Sequence, residues 1–308
     1  MAQIPSPIQK LVLPEFQDHQ LEVWVKRDDL IHPHVSGNKY RKLKYNIQAA
    51  KEHGKKGLLT FGGAYSNHIA ATAAAANEHS LQSIGIIRGD ELNPDSNPTL
   101  RLASHNGMEM RFVTRTKFRE LKADPSSLID EFPDHYLLPE GGTNHLAIDG
   151  CAEILNEINF EPDYIITALG TGGTMAGLVK GMRGNGHTIG VSSLKGSFVH
   201  KDFQELLDQN TIDNRNFTLL DKYHFGGYGK LDQSLVDFIK DFSKLSSITL
   251  DPIYTGKMFY AFMDLMHQGF FITNSKIVLL HTGGLQGIAG FNEKQGRKVF
   301  DSPKIYNF

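Results

Sequence analysis

Residues 163 to 180 read "DYIITALGTGGTMAGLVK", and the order of residue types within them decides the fold. The apolar run that ends at Leu169 reads as a strand, the glycines after it break the run, and the pattern from Thr174 onward is helical. A strand that passes through a glycine loop into a helix is the elementary unit of an α/β protein.

The unit recurs along the chain. "GLLTFGG" (57–63) leads into an alanine-rich helix, and "SIGIIRG" (83–89), "MEMRFVT" (108–114) and "HYLLPEGG" (135–142) follow, then a helix through Cys151 to Ile158. Beyond the opening segment come "TIGVSSLKG" (188–196), "NFTLLD" (216–221) and "SKIVLLHTGG" (275–284), with helical patterns at 233–246 and 257–268. Upstream, Leu43, Ile47 and Ala50 repeat with helical spacing. The alternation predicts an α/β fold of two lobes, each a mostly parallel sheet with helices on both faces. No linker rich in proline, glycine and serine divides the chain, so the second lobe is expected as an insertion. That makes residues 1–50 and 160–308 a large lobe and 51–159 a small inserted α/β domain.

The 308 residues suffice for two such lobes, and 40% apolar with 21% charged residues describes a chain that folds throughout. Lysine and arginine number 32 against 34 acids, which leaves no overall field for nucleic acid or an anionic membrane. The single cysteine, Cys151, excludes an internal disulfide and a thiolate zinc site. His32, His34, His79 and His145 lack the spacing of a metal motif, so no catalytic metal is expected. The N-terminal stretch lacks the order of a secretory signal, and no window is apolar enough to cross a bilayer. A cytoplasmic protein is expected.

Four glycine-bearing loops follow strands and open helices: "FGGAYSNH" at 61, "PEGGTNH" at 139, "ALGTGGTMAG" at 168 and "LLHTGGLQG" at 279. Ligands of α/β proteins collect at such strand ends, where amides of helix N-termini point outward. Gly170, Thr171, Gly172, Gly173 and Thr174 make the best phosphate cradle, with close backbone approach and two added hydroxyls. A dinucleotide site, and with it a nicotinamide oxidoreductase, is the rival of another class. Met175 stands where that motif needs its third glycine, and Lys195 ends the next strand in place of the ribose-binding acid. A Walker loop is excluded because no lysine follows the glycines.

"SGNKYRKLKY" (36–45) sets lysines at 39, 42 and 44 in a helix that Asn38 can cap. Lys39 and Lys42 share a face at the helix N-terminus, where the macrodipole opposes cations. A phosphorylated aldehyde cofactor answers both charges: one amine joins the aldehyde and the other pairs with the phosphate. Ser66 sits at the mouth of a helix as a nucleophile, a proton shuttle or an N-cap. Its neighbours Tyr65 and Asn67 break the pattern of a hydrolase elbow. Tyr228 in "FGGYGK" and Tyr254 with Thr255 in "DPIYTGKM" are aromatic or polar residues beside helix starts, open to a packing or a functional role.

In chain order "PIQKL", "VKRDDL", "GNKYRKLKY", "GGAYSNH", "PEGGTNH", "GTGGTMAGL", "DPIYTGKM" and "HTGG" resemble the landmarks of one family over nearly the whole chain. It contains the pyridoxal-phosphate enzymes 1-aminocyclopropane-1-carboxylate deaminase and D-cysteine desulfhydrase, with a tryptophan synthase β-like fold. The resemblance implies pyridoxal 5'-phosphate as cofactor, Lys39 as the Schiff-base lysine, Lys42 as a phosphate contact and residues 170 to 174 as the rest of the phosphate cup. It implies that Ser66 works on the substrate and that Asn67 bonds the cofactor's phenolic oxygen. His68 and Thr282 stand at substrate-side positions, Tyr254 stacks on the pyridine ring, and Tyr228 lies near as acid or base. A homodimer is implied as well.

Two markers divide the family. The deaminase carries a glutamate after the stacking tyrosine and a leucine after the histidine of "HTGG", whereas this chain has Thr255 and Thr282. A hydroxyl at 255 cannot hold a pyridinium by charge, so the cofactor would be a weaker electron sink. β-Elimination from D-cysteine, giving pyruvate, ammonia and hydrogen sulfide, is therefore expected before deamination of the cyclopropane amino acid to 2-oxobutanoate and ammonia. Lys39 is the expected Cα base. Tyr65, Tyr40, Ala70 and Ala71 depart from the family pattern on the substrate side, and a cofactor-holding binding protein without turnover is a third outcome.

Overall fold

A computed structural model describes residues 2–303. The chain opens with β1 (Ile8–Leu11), α1 (Pro14–Asp18), β2 (Glu22–Lys26) and α2 (Asn38–Glu52). It continues through β3 (Gly57–Gly63), α3 (Asn67–Glu78), β4 (Gln82–Arg88), α4 (Pro98–His105), β5 (Glu109–Val113), α5 (Arg115–Ala123), α6 (Ser126–Glu131) and β6 (His135–Leu138). Next come α7 (His145–Ala152), β7 (Tyr164–Leu169), α8 (Gly173–Met182), β8 (His187–Ser192), α9 (Phe198–Gln209) and β9 (Phe217–Leu220). The chain ends with α10 (Gln233–Ser246), α11 (Thr255–His267), β10 (Lys276–Leu280) and α12 (Gly287–Gln295).

The strands form two sheets. One has six strands in the order β1-β2-β10-β7-β8-β9, and the other has four in the order β5-β4-β3-β6. All pairings are parallel except β1 with β2. The central strands carry uninterrupted apolar runs because parallel strands are covered on both faces. On the large sheet, Val23, Ile166, Ile189 and Leu279 pack against α10 and α11, while Ile165, Val278 and Leu280 pack against Cys151, Leu178 and Met182 of α7 and α8. On the small sheet, Phe61 and Ile86 meet Phe118 and Leu121 of α5, and Ile87 meets Ile69 and Ala73 of α3. This is the α/β architecture expected from the sequence.

The small sheet is built from residues 57 to 138. The division expected at residue 50 falls in the last turn of α2, a helix that packs on α7 on one side and on the small sheet's core on the other. Its apolar face, Leu43, Ile47 and Ala50, sits in one cluster with Leu58 of β3, Leu138 of β6 and Ala71, Ala74 and Ala75 of α3. The alanines of α3 allow the two helices to approach closely, so α2 is held by the small sheet's core while its N-terminus points at the large sheet. No helix among the described residues is long and apolar enough to cross a membrane.

Candidate active site

The loops after β3, β6, β7 and β10 converge on one cleft between the sheets, of about 1250 Å³. Lys39, Lys42, Ser66, Asn67, Gly170, Thr171, Gly172, Thr174, Tyr228, Tyr254 and Thr282 all line it, so most residues singled out in the sequence meet in space.

Gly37 sets where α2 begins. Its φ of +64° is open to glycine, and a Cβ there would run into the Thr282 carbonyl. That carbonyl accepts the Asn38 amide at 3.2 Å. Asn38 is thus the first helical residue and not the cap expected of it; its side-chain amide donates instead to Thr174 Oγ1 at 2.8 Å. The helix start is so pinned to the large sheet on two sides, which brings Lys39 and Lys42 to the loop of residues 170 to 174.

Lys42 Nζ is buried and donates to Gly141 O at 2.9 Å, Thr143 Oγ1 at 2.8 Å and Thr171 Oγ1 at 3.3 Å. Lys39 Nζ donates to Asn38 Oδ1 at 2.9 Å. Burial, and then the Lys42 ammonium beside it, lowers the Lys39 amine to about 7. Burial likewise lowers Lys42 to about 8. Neither amine has a carboxylate within ion-pair distance among the described residues. The charge crowding read in the sequence is therefore present, and among the described residues no acid forms an ion pair that relieves it.

Gly172 takes φ +85° as the residue before α8, and a Cβ on Gly173 would lie 3.1 Å from Lys42 Nζ. Gly173 serves as the close-approach residue beneath that amine rather than as lining. First-turn amides of a helix have no intrahelical acceptors, so a cationic amine, hydroxyls and free amides surround one spot. Nearby, the Tyr254 ring packs on Gly170, where a Cβ would come within 3.3 Å. Tyr228 meets Tyr254 edge to face at 5.9 Å. Burial raises both phenols, Tyr254 well above its ordinary value, so both are protonated donors at neutral pH.

Ser66 caps α3, its Oγ accepting the Ile69 amide at 3.3 Å, and lines the cleft. The Asn67 Oδ1 atom is buried with no hydrogen-bond partner, which marks the amide as waiting for a ligand. A phosphorylated pyridine aldehyde fits this set. Lys42 and residues 170 to 174 suit its phosphate, Lys39 its aldehyde, Asn67 a ring oxygen and Tyr254 a ring face.

Two of the expected residues have their polar atoms engaged by neighbours. Thr255 has no accessible surface, and its hydroxyl donates to Asp251 Oδ2 at 2.6 Å and accepts the Asp251 amide at 2.9 Å. Both of its hydrogen-bonding roles are thus taken up by Asp251. His68 has Nε2 2.8 Å from Thr60 Oγ1 and Nδ1 3.5 Å from Thr72 Oγ1. With both nitrogens engaged, and its basicity lowered by burial and the two lysines, it lines the cleft as a neutral imidazole. Thr282 keeps its place in the lining.

Residues not singled out in the sequence complete the site. Asp251 is buried and accepts the Ile253, Tyr254 and Thr255 amides at 2.9, 2.8 and 2.8 Å, which fixes the start of α11. Thr143 bridges Lys42 and Thr171, its hydroxyl 2.6 Å from that of Thr171. An acid four residues before the first residue of a helix and a threonine in a glycine loop are signals the sequence does carry, as capping and hydroxyl patterns. Among the described residues no cluster of acids, histidines or cysteine has the makings of a metal site.

The family described as "Pyridoxal-phosphate dependent enzyme" matches residues 1–283 of this chain. A putative 1-aminocyclopropane-1-carboxylate deaminase of Pyrococcus horikoshii is 31% identical over 292 residues, covering 89% of this chain and 87% of its own. A mitochondrial bifunctional D-cysteine desulfhydrase/1-aminocyclopropane-1-carboxylate deaminase of Arabidopsis thaliana is 29% identical over 316 residues, covering 94% of this chain and 78% of its own. The crystal structure of an ACC deaminase homologue superposes with a TM-score of 0.82 at 28% identity, covering 95% of this chain and 93% of that one.

Proposed function

Because the chain belongs to the pyridoxal-phosphate dependent enzymes, we propose that it is a lyase that removes a β substituent and ammonia from a small amino acid, with D-cysteine as the substrate that suits the site best. The products are pyruvate, ammonia and hydrogen sulfide, with one water consumed.

Bound in the cleft, pyridoxal phosphate supplies an electron sink that makes a Cα proton removable and a β substituent expellable. Lys42, Thr171, Thr174 and the amides at the start of α8 would hold its phosphate, Lys39 would be its covalent anchor, and Asn67 and Tyr254 would flank its ring. The Lys39 amine, when free, takes the Cα proton; at about 7 it is neutral often enough to accept one at physiological pH and acidic enough to give it up again. Tyr228 and Tyr254 stay protonated and donate to the departing group. Ser66 and Thr282 turn hydroxyls toward the substrate's polar groups.

The observation that carries β-elimination is at position 255. Thr255 offers no carboxylate to the ring nitrogen, and its hydroxyl proton is committed to Asp251 at 2.6 Å. A sink without a charged partner at that nitrogen suits loss of a good leaving group such as sulfide more than opening of a cyclopropane ring. The second reading, deamination of 1-aminocyclopropane-1-carboxylate, draws support from the names of the archaeal and plant relatives. Assaying sulfide and pyruvate from D-cysteine against 2-oxobutanoate from the cyclopropane amino acid separates the two. A higher kcat/KM for the cyclopropane substrate would overturn the first.

A further inference from the structure

Tyr228, the acid that faces the cleft, sits on a loop whose own ties are few: the Gly227 amide donates to His224 O at 3.0 Å and the Lys230 amide to Gly227 O at 3.1 Å. The tyrosine is 43% exposed, with its ring edge to face against Tyr254. The loop from residue 221 to 232 has no regular structure between β9 and α10.

Lys257 reaches this loop from the first turn of α11. Its ammonium donates to the carbonyls of His224 at 2.8 Å and Gly227 at 2.9 Å, the latter being the residue before Tyr228. The lysine is fully buried and among the described residues has no carboxylate within ion-pair distance. A buried cation in a helix's first turn is opposed by desolvation and by the macrodipole alike; a methionine would fill the space with neither cost. What the ammonium adds is direction: donors that fasten two carbonyls of an irregular loop. The loop also meets α11 through Tyr223 Oη to Asp264 Oδ2 at 2.6 Å and the Phe225 ring against Tyr260 at 5.0 Å, neither of which involves Tyr228 or the residue before it. Tyr254 stands just before the same helix. One rigid element therefore carries one tyrosine of the pair and clamps the loop that carries the other.

We propose that Lys257 is a positioning residue for turnover, which holds the Tyr228 hydroxyl against Tyr254 over the cleft by binding the His224 and Gly227 carbonyls. The proposal rests on Tyr228 acting as an acid in the lyase reaction. It adds no bond-making step. Its effect is on kcat more than KM, because a misplaced acid is missed mainly in the transition state.

The test uses the holoenzyme and four variants, K257M, K257Q, Y228F and K257M/Y228F, assayed on the better of the two substrates named above. Alongside, hydrogen–deuterium exchange is followed in residues 224–229. K257M is expected to lower kcat about tenfold at unchanged cofactor content, with faster exchange confined to the loop. K257Q, which keeps an amide donor, is expected to recover part of both. Adding K257M to Y228F is expected to cost nothing further in kcat, since the residue being positioned is already disabled. Independent, multiplicative losses in the double variant would overturn the proposal, as would K257M with unchanged kcat and unchanged loop exchange. A Y228F enzyme with full activity would sink the reading of Tyr228 as the acid instead. In that case the exchange measurement, which needs no turnover, still decides whether Lys257 clamps the loop.

Discussion

The acidity of one amine governs how the enzyme acquires its cofactor. An exposed lysine near its ordinary value of 10.5 is almost wholly protonated at neutral pH and attacks an aldehyde slowly, whereas Lys39, brought down to about 7 by burial and by Lys42, is substantially neutral there. Covalent uptake of pyridoxal phosphate by the stripped protein is therefore expected to accelerate as pH rises through about 7 and to level off above it. The growth of the visible absorption band after mixing measures it, and a rate still climbing at pH 9 would contradict the depressed amine. Lys42 has a different task. Replacing it by methionine removes a charge-assisted contact worth about 2 kcal/mol, so cofactor affinity is expected to fall roughly thirtyfold, with borohydride still fixing the colour to the peptide of Lys39. Equilibrium dialysis of the cofactor checks the first figure and peptide mapping the second. At this scale the sequence was informative about lysines and glycines, because charge at a helix start and glycine after a strand are local patterns. It was silent on the partners of Thr255 and His68. Which way those side chains turn is decided by Asp251, Thr60 and Thr72, partners that only folding brings within reach.

Glycine at the start of α2 does for the helix what no side chain there does. Gly37 holds φ at +64° and leaves room for the Thr282 carbonyl, so that the Asn38 amide reaches it at 3.2 Å. Gly37→Ala combines strain at a positive φ with a collision against backbone that is itself hydrogen-bonded. A loss of about 2 to 3 kcal/mol in unfolding free energy is expected, together with reduced cofactor content as Lys39 is displaced from the 170s loop. Urea unfolding and the ratio of visible to ultraviolet absorbance read the two effects. An alanine variant with wild-type stability and full colour would mean the helix start tolerates a shift. The elements themselves were readable because strands covered on both faces are unbroken apolar runs and because helices with one buried face repeat at 3.6 residues. The allegiance of α2 was not. Leu43, Ile47 and Ala50 show that the helix has an apolar face, but it is the small residues of α3, distant in sequence, that draw that face to the four-stranded sheet. The antiparallel pairing of β1 with β2 was likewise hidden, since the half-exposed pattern of Ile8 to Leu11 shows little alternation.

The cleft exists only while two sheets keep their relative position, and one buried ionic cluster spans the parts that must stay together. Arg41 of α2 donates to Asp28 Oδ1 at 2.9 Å and to Glu157 Oε2 at 2.8 Å. Lys26, at the end of β2, meets the same Glu157 oxygen at 2.5 Å. Ser6 closes the cluster through Asp28 Oδ1 at 2.6 Å and Glu157 Oε2 at 3.0 Å. The helix that carries Lys39 on one face is thus tied through Arg41 to the large sheet on the other. Burial acts to raise the Glu157 carboxyl, but its hydrogen bonds with Arg41 and Lys26 outweigh that and hold it at about 2, against an ordinary 4.5. A carboxyl depressed in the folded state stabilises the fold fully above its unfolded value and loses that contribution as pH falls through the folded one. The contribution, about 3 kcal/mol from the size of the shift, is present above about pH 4.5 and gone near pH 2. Glu157→Gln is expected to lower the unfolding free energy by about that amount at pH 7, because it leaves the buried Arg41 and Lys26 short of a countercharge. The gap between wild type and variant is then expected to close as pH falls below 4.5, which chemical denaturation at a series of pH values follows directly. A gap that stayed constant down to pH 3 would mean that the glutamine lost shape or hydrogen bonds and not charge, and the electrostatic account of how α2 is anchored would have to be given up.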